Sequence, residues 1–287
     1  MRATSSARPL PSRRRSSMPE RRAMSNSLPA RSLRAVYRGA RLVVHLLVGL
    51  FLVVVVMLDR GQRVNPQKLM SWWCSITLDI FGIELVRYSH PHDGGRMTVA
   101  NHVSWLDIIV IGACEPTRFI AKSEIRDWPI AGALANACGT FYIRRGKGGA
   151  RPLLDKLTPH LSAGGCITLF PEGTTTDGRG VLPFHPRLFA AAIEAQCAVQ
   201  PVALRYGLSA RGENIAPFIG DDDLVSHILR LLKEPELLAE VTYCAPLSSV
   251  GRNREELAEA AQRCVSRIVA PQAVAELPIA TDAAFAV

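Results

Sequence analysis

No cysteine pair in this chain has CxxC spacing, no histidines fall at metal-ligand intervals, and no GxSxG elbow is complete. The seven cysteines, from Cys74 to Cys264, stand singly, and several sit in apolar runs where a free thiol behaves as a small hydrophobe. An odd, scattered set argues against a disulfide framework or a zinc site and for a reducing compartment. His90 and His92 lie in a Gly/Pro/Asp turn, a solvent-facing setting rather than a ligating one, so no metal or other cofactor is expected. Gly207-Leu208-Ser209-Ala210-Arg211 fails at the last glycine, which argues against a serine hydrolase. Aromatic residues are missing before Tyr37, and there is no internal repeat.

Acids are nearly missing from the start of the chain too. Residues 1–41 carry eleven arginines against the single acid Glu20, a local charge of +10, so the other 246 of the 287 residues sum to −1. The overall +9 therefore belongs to a tail rich in Ser, Pro and Arg, expected to be disordered. With no aromatics among its arginines it is a poor nucleic-acid binder, and no such partner is expected. Attraction to anionic membrane lipid fits better, because an apolar segment follows at once.

That segment, residues 42–58, is a 17-residue run whose only polar side chain is His45. As a helix it spans about 25 Å, slightly short of a ~30 Å hydrocarbon core. Arg34, Arg38 and Arg41 precede it and, by the positive-inside tendency, hold its start on the cytoplasmic side. A cleaved signal peptide fits poorly: the charged region is too long and no small-x-small site follows before Asp59. A second segment over 67–85 sets Trp72, Trp73, Ile76, Ile80 and Ile83 near helical spacing on one face. Two such helices, forming a hairpin or dipping into one leaflet, return the rest of the chain to the cytoplasmic face of the inner membrane. A single true span and, for 67–85, an amphipathic core helix are the competing readings.

From about residue 83, strands and helices alternate. Strands are expected at 83–88, 97–100, 117–121, 140–143, 166–170, 199–204 and 240–244. The first two are joined by a His-Pro-His-Asp-Gly-Gly turn, and helices are expected between the later strands and at 254–269. Such alternation implies an α/β fold with a mostly parallel central sheet flanked by helices. The organisation read from the chain is a basic tail (1–41), a membrane-associated helical segment (42–85), a catalytic domain (86–270) and a flexible C-terminal tail (271–287).

Asn101-His102-Val103-Ser104-Trp105-Leu106-Asp107 holds the one His–carboxylate pair suited to catalysis. Five residues along a helix rotate about 140°, so the two side chains would miss each other in mid-helix. They meet if His102 precedes the helix and Asp107 points back from its first turn. The imidazole then takes a proton on one nitrogen while Asp107 holds the other. The competing reading is that Ser104-x-x-Asp107 is a capping box. At Phe170-Pro171-Glu172-Gly173-Thr174-Thr175 an apolar strand runs into a turn whose backbone N–H groups are suited to an oxyanion, or which is an ordinary junction with an exposed Glu172. Arg144, Arg145 and Lys147 follow another strand end. They are either phosphate ligands or a solvated basic loop.

These residues resemble the glycerolipid acyltransferase family, whose best-known members are the lysophosphatidate acyltransferases. Asn101, His102 and Asp107 match its NHxxxxD motif. Tyr142-Ile143-Arg144-Arg145 is similar to its second motif, with Arg145 in the arginine place. Phe170 to Thr174 match FPEGTR up to Thr175, which stands where arginine is usual. Val199-Gln200-Pro201-Val202-Ala203-Leu204 resembles its fourth motif, and Ala121-Lys122-Ser123-Glu124 is also family-like. The likeness runs over about 83–245.

The resemblance implies an O-acyltransferase acting at the membrane. His102 would be the general base and Asp107 its orienting acid. The hydroxyl of a lysolipid acceptor would attack the thioester of acyl-CoA or acyl carrier protein, with no acyl-enzyme. Asn101, Arg144, Arg145, Glu172, Gly173, Thr174 and Thr175 would shape the substrate site. The acceptor it favours is 1-acylglycerol-3-phosphate. Thr175 removes one phosphate contact, however, worth on the order of 1.5–3 kcal/mol. Either Arg144 and Arg145 compensate or the head group is not a phosphate, as in the lyso-ornithine lipid acyltransferases. A thioesterase, turning the same base on water, and a non-catalytic lipid-binding protein are the alternatives from other classes.

Overall fold

The computed structural model of the chain describes residues 28–61, 63–144 and 151–270. Arg145, Gly146 and Lys147 of the basic loop, residues 1–27 and the C-terminal segment 271–287 lie outside the described residues.

Seven strands form one sheet: β1 (Ile83–Tyr88), β2 (Arg96–Ala100), β3 (Arg118–Lys122), β4 (Phe141–Ile143), β5 (Cys166–Leu169), β6 (Ala198–Tyr206) and β7 (Leu237–Tyr243). Their order is β1-β7-β6-β2-β5-β3-β4, and every neighbouring pair is parallel except β6 with β7. The helices are α1 (Leu28–Leu58), α2 (Pro66–Phe81), α3 (Leu106–Cys114), α4 (Ala131–Ala137), α5 (Arg151–Ser162), α6 (Ala190–Glu194), α7 (Leu224–Lys233) and α8 (Arg254–Val269). The mostly parallel α/β sheet expected from the alternation is what forms.

Strand alternation sorts the core into two layers. Val202 and Leu204 of β6 point into a cluster with Leu78 and Phe81 of α2, Val110 and Ile111 of α3, and Leu231 of α7. Val199 and Ala203 point the other way, onto Leu157 and Leu161 of α5, Ala192 of α6 and Leu257 of α8. Strand β2, at the centre, is buried at all five positions. Because β2 to β6 all run the same way, their C-terminal ends share one edge of the sheet. The side chains that can do chemistry collect there.

Two expectations change at the N-terminal side. Helix α1 begins at Leu28, so residues 28–41 are ordered helix rather than disordered tail. The reason is a set of arginine contacts with the ends of other helices. Arg34 donates to Lys233 O (2.7 Å), and Arg38 to Phe81 O (3.1 Å), Glu234 O (2.5 Å) and Pro235 O (3.1 Å). Those carbonyls lie at the C-terminal ends of α2 and α7, where unpaired acceptors and the helix dipole favour cations. Arginines that look like a membrane flank in the sequence thus clamp α1 to the domain.

Helix α2 is the second change. It starts on an Asn65 cap that accepts from the Gln67 and Lys68 amides, has Pro66 in its first turn, and ends at Gly82 with φ 68°. Cys74, Leu78, Ile80 and Phe81 are buried, so one face of α2 is core against α3, as the competing reading had it, while Trp72 stays half exposed. The α1–α2 contact is locked by His45, which stacks on Trp73 at 4.5 Å with its Nε2 3.1 Å from Trp73 O and 3.0 Å from Thr77 Oγ1. Only α1 is long and apolar enough to cross a membrane among the described residues. Its outer face leaves Val43, Val44, Leu47, Phe51, Val54 and Met57 exposed.

Candidate active site

The site is built at the end of β2. After Ala100 the chain leaves the sheet, runs through His102 to Ser104, and turns into α3. His102 precedes the helix and Asp107 is its second residue, so the acid reaches back toward the N-terminus as the spacing requires. His102 Nδ1 lies 2.7 Å from Asp107 Oδ2. A carboxylate only accepts, so Nδ1 carries the proton and Nε2 presents its lone pair. Nε2 has no hydrogen-bond partner among the described residues. The imidazole is 20% exposed and its acid fully buried. This is the arrangement of an oriented base open on one side.

The capping reading turns out to describe the same acid. Asp107 Oδ2 also accepts from the backbone N–H of Val103 (2.6 Å) and Ser104 (2.9 Å), which fixes the turn entering α3. Ser104 Oγ has no partner among the described residues, so the serine half of the box is unused. One carboxylate both braces the turn before the helix and holds the imidazole. Its other oxygen, Oδ1, accepts the Tyr206 hydroxyl at 2.7 Å.

Beneath the base lies Phe170, stacked on the His102 ring at 4.2 Å and 13°, with Phe119 of β3 beyond it at 6.4 Å. Phe170 leads into the Pro171-Glu172-Gly173-Thr174 turn, where Gly173 takes a φ of 72° that only glycine adopts without strain. Glu172 is 4% exposed and faces inward, unlike the exposed carboxylate of an ordinary junction. Its Oε1 accepts the His102 backbone N–H (2.6 Å) and its Oε2 that of Leu182 (2.8 Å). Burial pushes this carboxyl above the usual carboxylate range, against the pull of the two N–H groups. Thr176 completes the tie, donating its backbone N–H (2.8 Å) and its hydroxyl (3.2 Å) to His102 O.

Asn101 also turns inward. Fully buried, its carboxamide donates to Leu204 O (3.0 Å) and accepts from Leu204 N (2.8 Å). The β2–β6 ladder ends at Ala100↔Val202, and the Asn101 side chain continues it by one more pair. It is a staple between strands. Thr175 also turns inward, donating to Phe218 O at 2.5 Å, while Phe218 N donates to Val103 O at 3.0 Å. Gly173 and Thr174 are exposed at the rim. Arg144 is exposed after β4, three strand spacings or roughly 14 Å along the edge from β2. It shares the edge but does not touch the His–Asp pair, and Arg145 lies outside the described residues.

Sequence reasoning missed Tyr206, Thr176 and the ring role of Phe170. Phe170 stood in the motif itself, so stacking was open to suspicion. Tyr206 is 99 residues from Asp107, and no spacing signals that contact. Between α1, α2, α3 and α4 there is also an apolar crevice of about 120 Å³, lined by Gly49, Val53, Met70, Trp73, Ile109 and Leu134 among others.

The Acyltransferase family model matches residues 83–205 of this chain. The chain is 42% identical over 238 residues to a lyso-ornithine lipid O-acyltransferase of Pseudomonas aeruginosa, covering 81% of this chain and 92% of the relative. It is 34% identical over 198 residues to a 1-acyl-sn-glycerol-3-phosphate acyltransferase of Neisseria gonorrhoeae, covering 68% and 77% respectively. In fold it is similar to the 1-acyl-sn-glycerophosphate (LPA) acyltransferase of Thermotoga maritima, with TM-score 0.65 and 21% identity over 90% of this chain and 100% of that one. With its His–Asp pair, its parallel-edge site and these likenesses, the chain belongs to the acyltransferase family.

Proposed function

We propose that the protein is a lysolipid O-acyltransferase, with lyso-ornithine lipid as the acceptor it serves best. The observation that carries the reading is the His102 ring, held at Nδ1 by a buried carboxylate while Nε2 faces the open edge. The acceptor hydroxyl gives its proton to Nε2 as its oxygen attacks the thioester carbonyl of acyl-CoA or acyl carrier protein. The tetrahedral adduct then expels the thiolate, which takes the proton back from the imidazolium. The products are an ester and a free thiol, and no acyl-enzyme forms.

The choice of acceptor rests on Thr175. A short hydroxyl bonded to Phe218 O stands where the family motif carries a phosphate-seeking arginine. The 42% likeness to a lyso-ornithine lipid enzyme supports an aminolipid head group, which carries no phosphate. A 1-acylglycerol-3-phosphate acceptor is the second reading, favoured by the Neisseria relative. The exposed apolar face of α1 suits insertion into the cytoplasmic leaflet of the inner membrane, and the apolar crevice beside it suits an acyl chain.

Membranes containing the protein, given labelled acyl donor and each acceptor in turn, test the proposal. We expect labelled ornithine lipid at a kcat/KM above that for phosphatidate formation. Preference for 1-acylglycerol-3-phosphate would overturn the acceptor assignment, and fatty acid release without any lysolipid would make the protein a thioesterase. His102→Ala should abolish transfer with the fold intact; unchanged turnover would end the case for the base.

A further inference from the structure

We infer that Tyr206 is a positioning residue for acyl transfer, bracing from strand β6 the Asp107 carboxylate that holds the base. The inference rests on the proposed function for its kinetic consequence and on geometry for its existence.

Asp107 is fully buried, and its oxygens receive four donors in all. Three converge on Oδ2: the imidazole Nδ1–H of His102 and the backbone N–H groups of Val103 and Ser104. All three come from the turn that carries the base, so a swing about the Cβ–Cγ bond, which would carry Oδ2 off them, is opposed from outside that turn only through Oδ1. Among the described residues Oδ1 has one partner, the Tyr206 hydroxyl at 2.7 Å, and that comes from a different element. Without it a buried acceptor goes unpaired and the carboxylate loses its one brace from outside that turn.

The tyrosine is well placed for the role. It ends β6 on the same strand face as Val202 and Leu204, which points it toward α3. The Asn101 staple grips Leu204 two residues earlier, and Tyr206 pairs with Ala239 of β7 on the far side, so the strand end cannot drift. Burial, followed by the Asp107 charge, holds its phenol well above the ordinary range, which keeps it a donor throughout the working pH range. The other groups facing the pair are Glu172, occupied by two backbone N–H groups, and Cys114 on the phenol side. Neither offers Oδ1 a substitute donor.

The test is a double-mutant cycle on the full chain, read by kinetics and by the downfield proton resonance of the His102 Nδ1–H. Tyr206→Phe keeps the ring and its packing. We expect kcat to fall about tenfold to a hundredfold with both KM values within about twofold, since only transition-state proton transfer feels the loosened pair. In an Asp107→Asn background the same change should cost almost nothing further. The Nδ1–H resonance should shift and broaden in Tyr206→Phe and vanish in Asp107→Asn. Equal losses in both backgrounds, or a resonance that Tyr206→Phe leaves unmoved, would overturn the inference. Fluorinated tyrosine at position 206 covers the case in which Tyr206→Phe melts early, because the resonance must then track phenol acidity. A wild-type chain that transfers no acyl group would sink the proposed function, while the resonance would still judge Tyr206.

Discussion

Glu172→Gln separates two explanations of why a carboxylate sits under the base. If the negative charge matters, losing it should dominate; if the two accepted N–H groups matter, only one of them should be lost. Burial raises the Glu172 carboxyl while its two N–H donors pull it down, so those donors offset the cost of burying the group. Glutamine keeps the volume and one acceptor but turns an NH₂ toward either His102 N or Leu182 N, now 2.6 and 2.8 Å from the two oxygens. One buried N–H then faces a donor, a cost of about 1–3 kcal/mol. For a domain of this size that lowers Tm by roughly 2–12 °C at about 2–4 °C per kcal/mol. Activity should fall further than stability, because the displaced amide belongs to His102 itself. A shift near 1 Å in the base costs on the order of a hundredfold in rate. Paired thermal melts and initial-rate assays of the purified variant measure both. A variant with unchanged Tm and unchanged kcat would refute the claim that Glu172 braces the base.

Two other expectations follow from the same contacts. His227 accepts the Trp105 indole N–H on Nδ1 (2.9 Å) and bonds Ile215 O through Nε2 (3.0 Å), a pairing only the neutral ring can make. Burial holds it below the ordinary imidazole value, so the native state binds fewer protons than the unfolded chain. Its stabilisation is complete above about pH 6.5 and is lost as pH falls through the lowered value. His227→Gln should flatten the acid side of the melting-temperature profile, and an unaltered profile would count against the assignment. Thr175→Arg should move acceptor preference toward 1-acylglycerol-3-phosphate by about tenfold to a hundredfold in relative kcat/KM. No change in the two-acceptor ratio would mean that position 175 does not read the head group.

The order of strands and helices was legible because apolar periodicity is local. Residues 83–88 and 254–269 fall on β1 and α8 to the residue. The His–Asp pair was legible for a similar reason: five residues spanning a helix start leave few geometries, and one of them closes the hydrogen bond. The glycine at 173 announced a turn because few residues tolerate its backbone. Contacts stayed illegible where a side chain's partner is distant in the chain. Arg34 and Arg38 look like a membrane flank until the ends of α2 and α7 arrive beside them, about 40 and 200 residues away. Asn101 and Glu172 look like substrate ligands because polar residues in a motif invite that role, yet both are turned inward onto backbone groups of other segments.

By itself, then, the sequence determined the α/β alternation, the turn that presents the base, and the apolar length of α1. Each is written in neighbours a few bonds or one helical turn apart. Only the tertiary structure decided which polar groups are braces and which face the reaction, since a buried donor or acceptor must be satisfied by whatever the fold brings to it. That requirement sets Tyr206 on Asp107 and Glu172 on the His102 amide, and leaves Nε2 free to work.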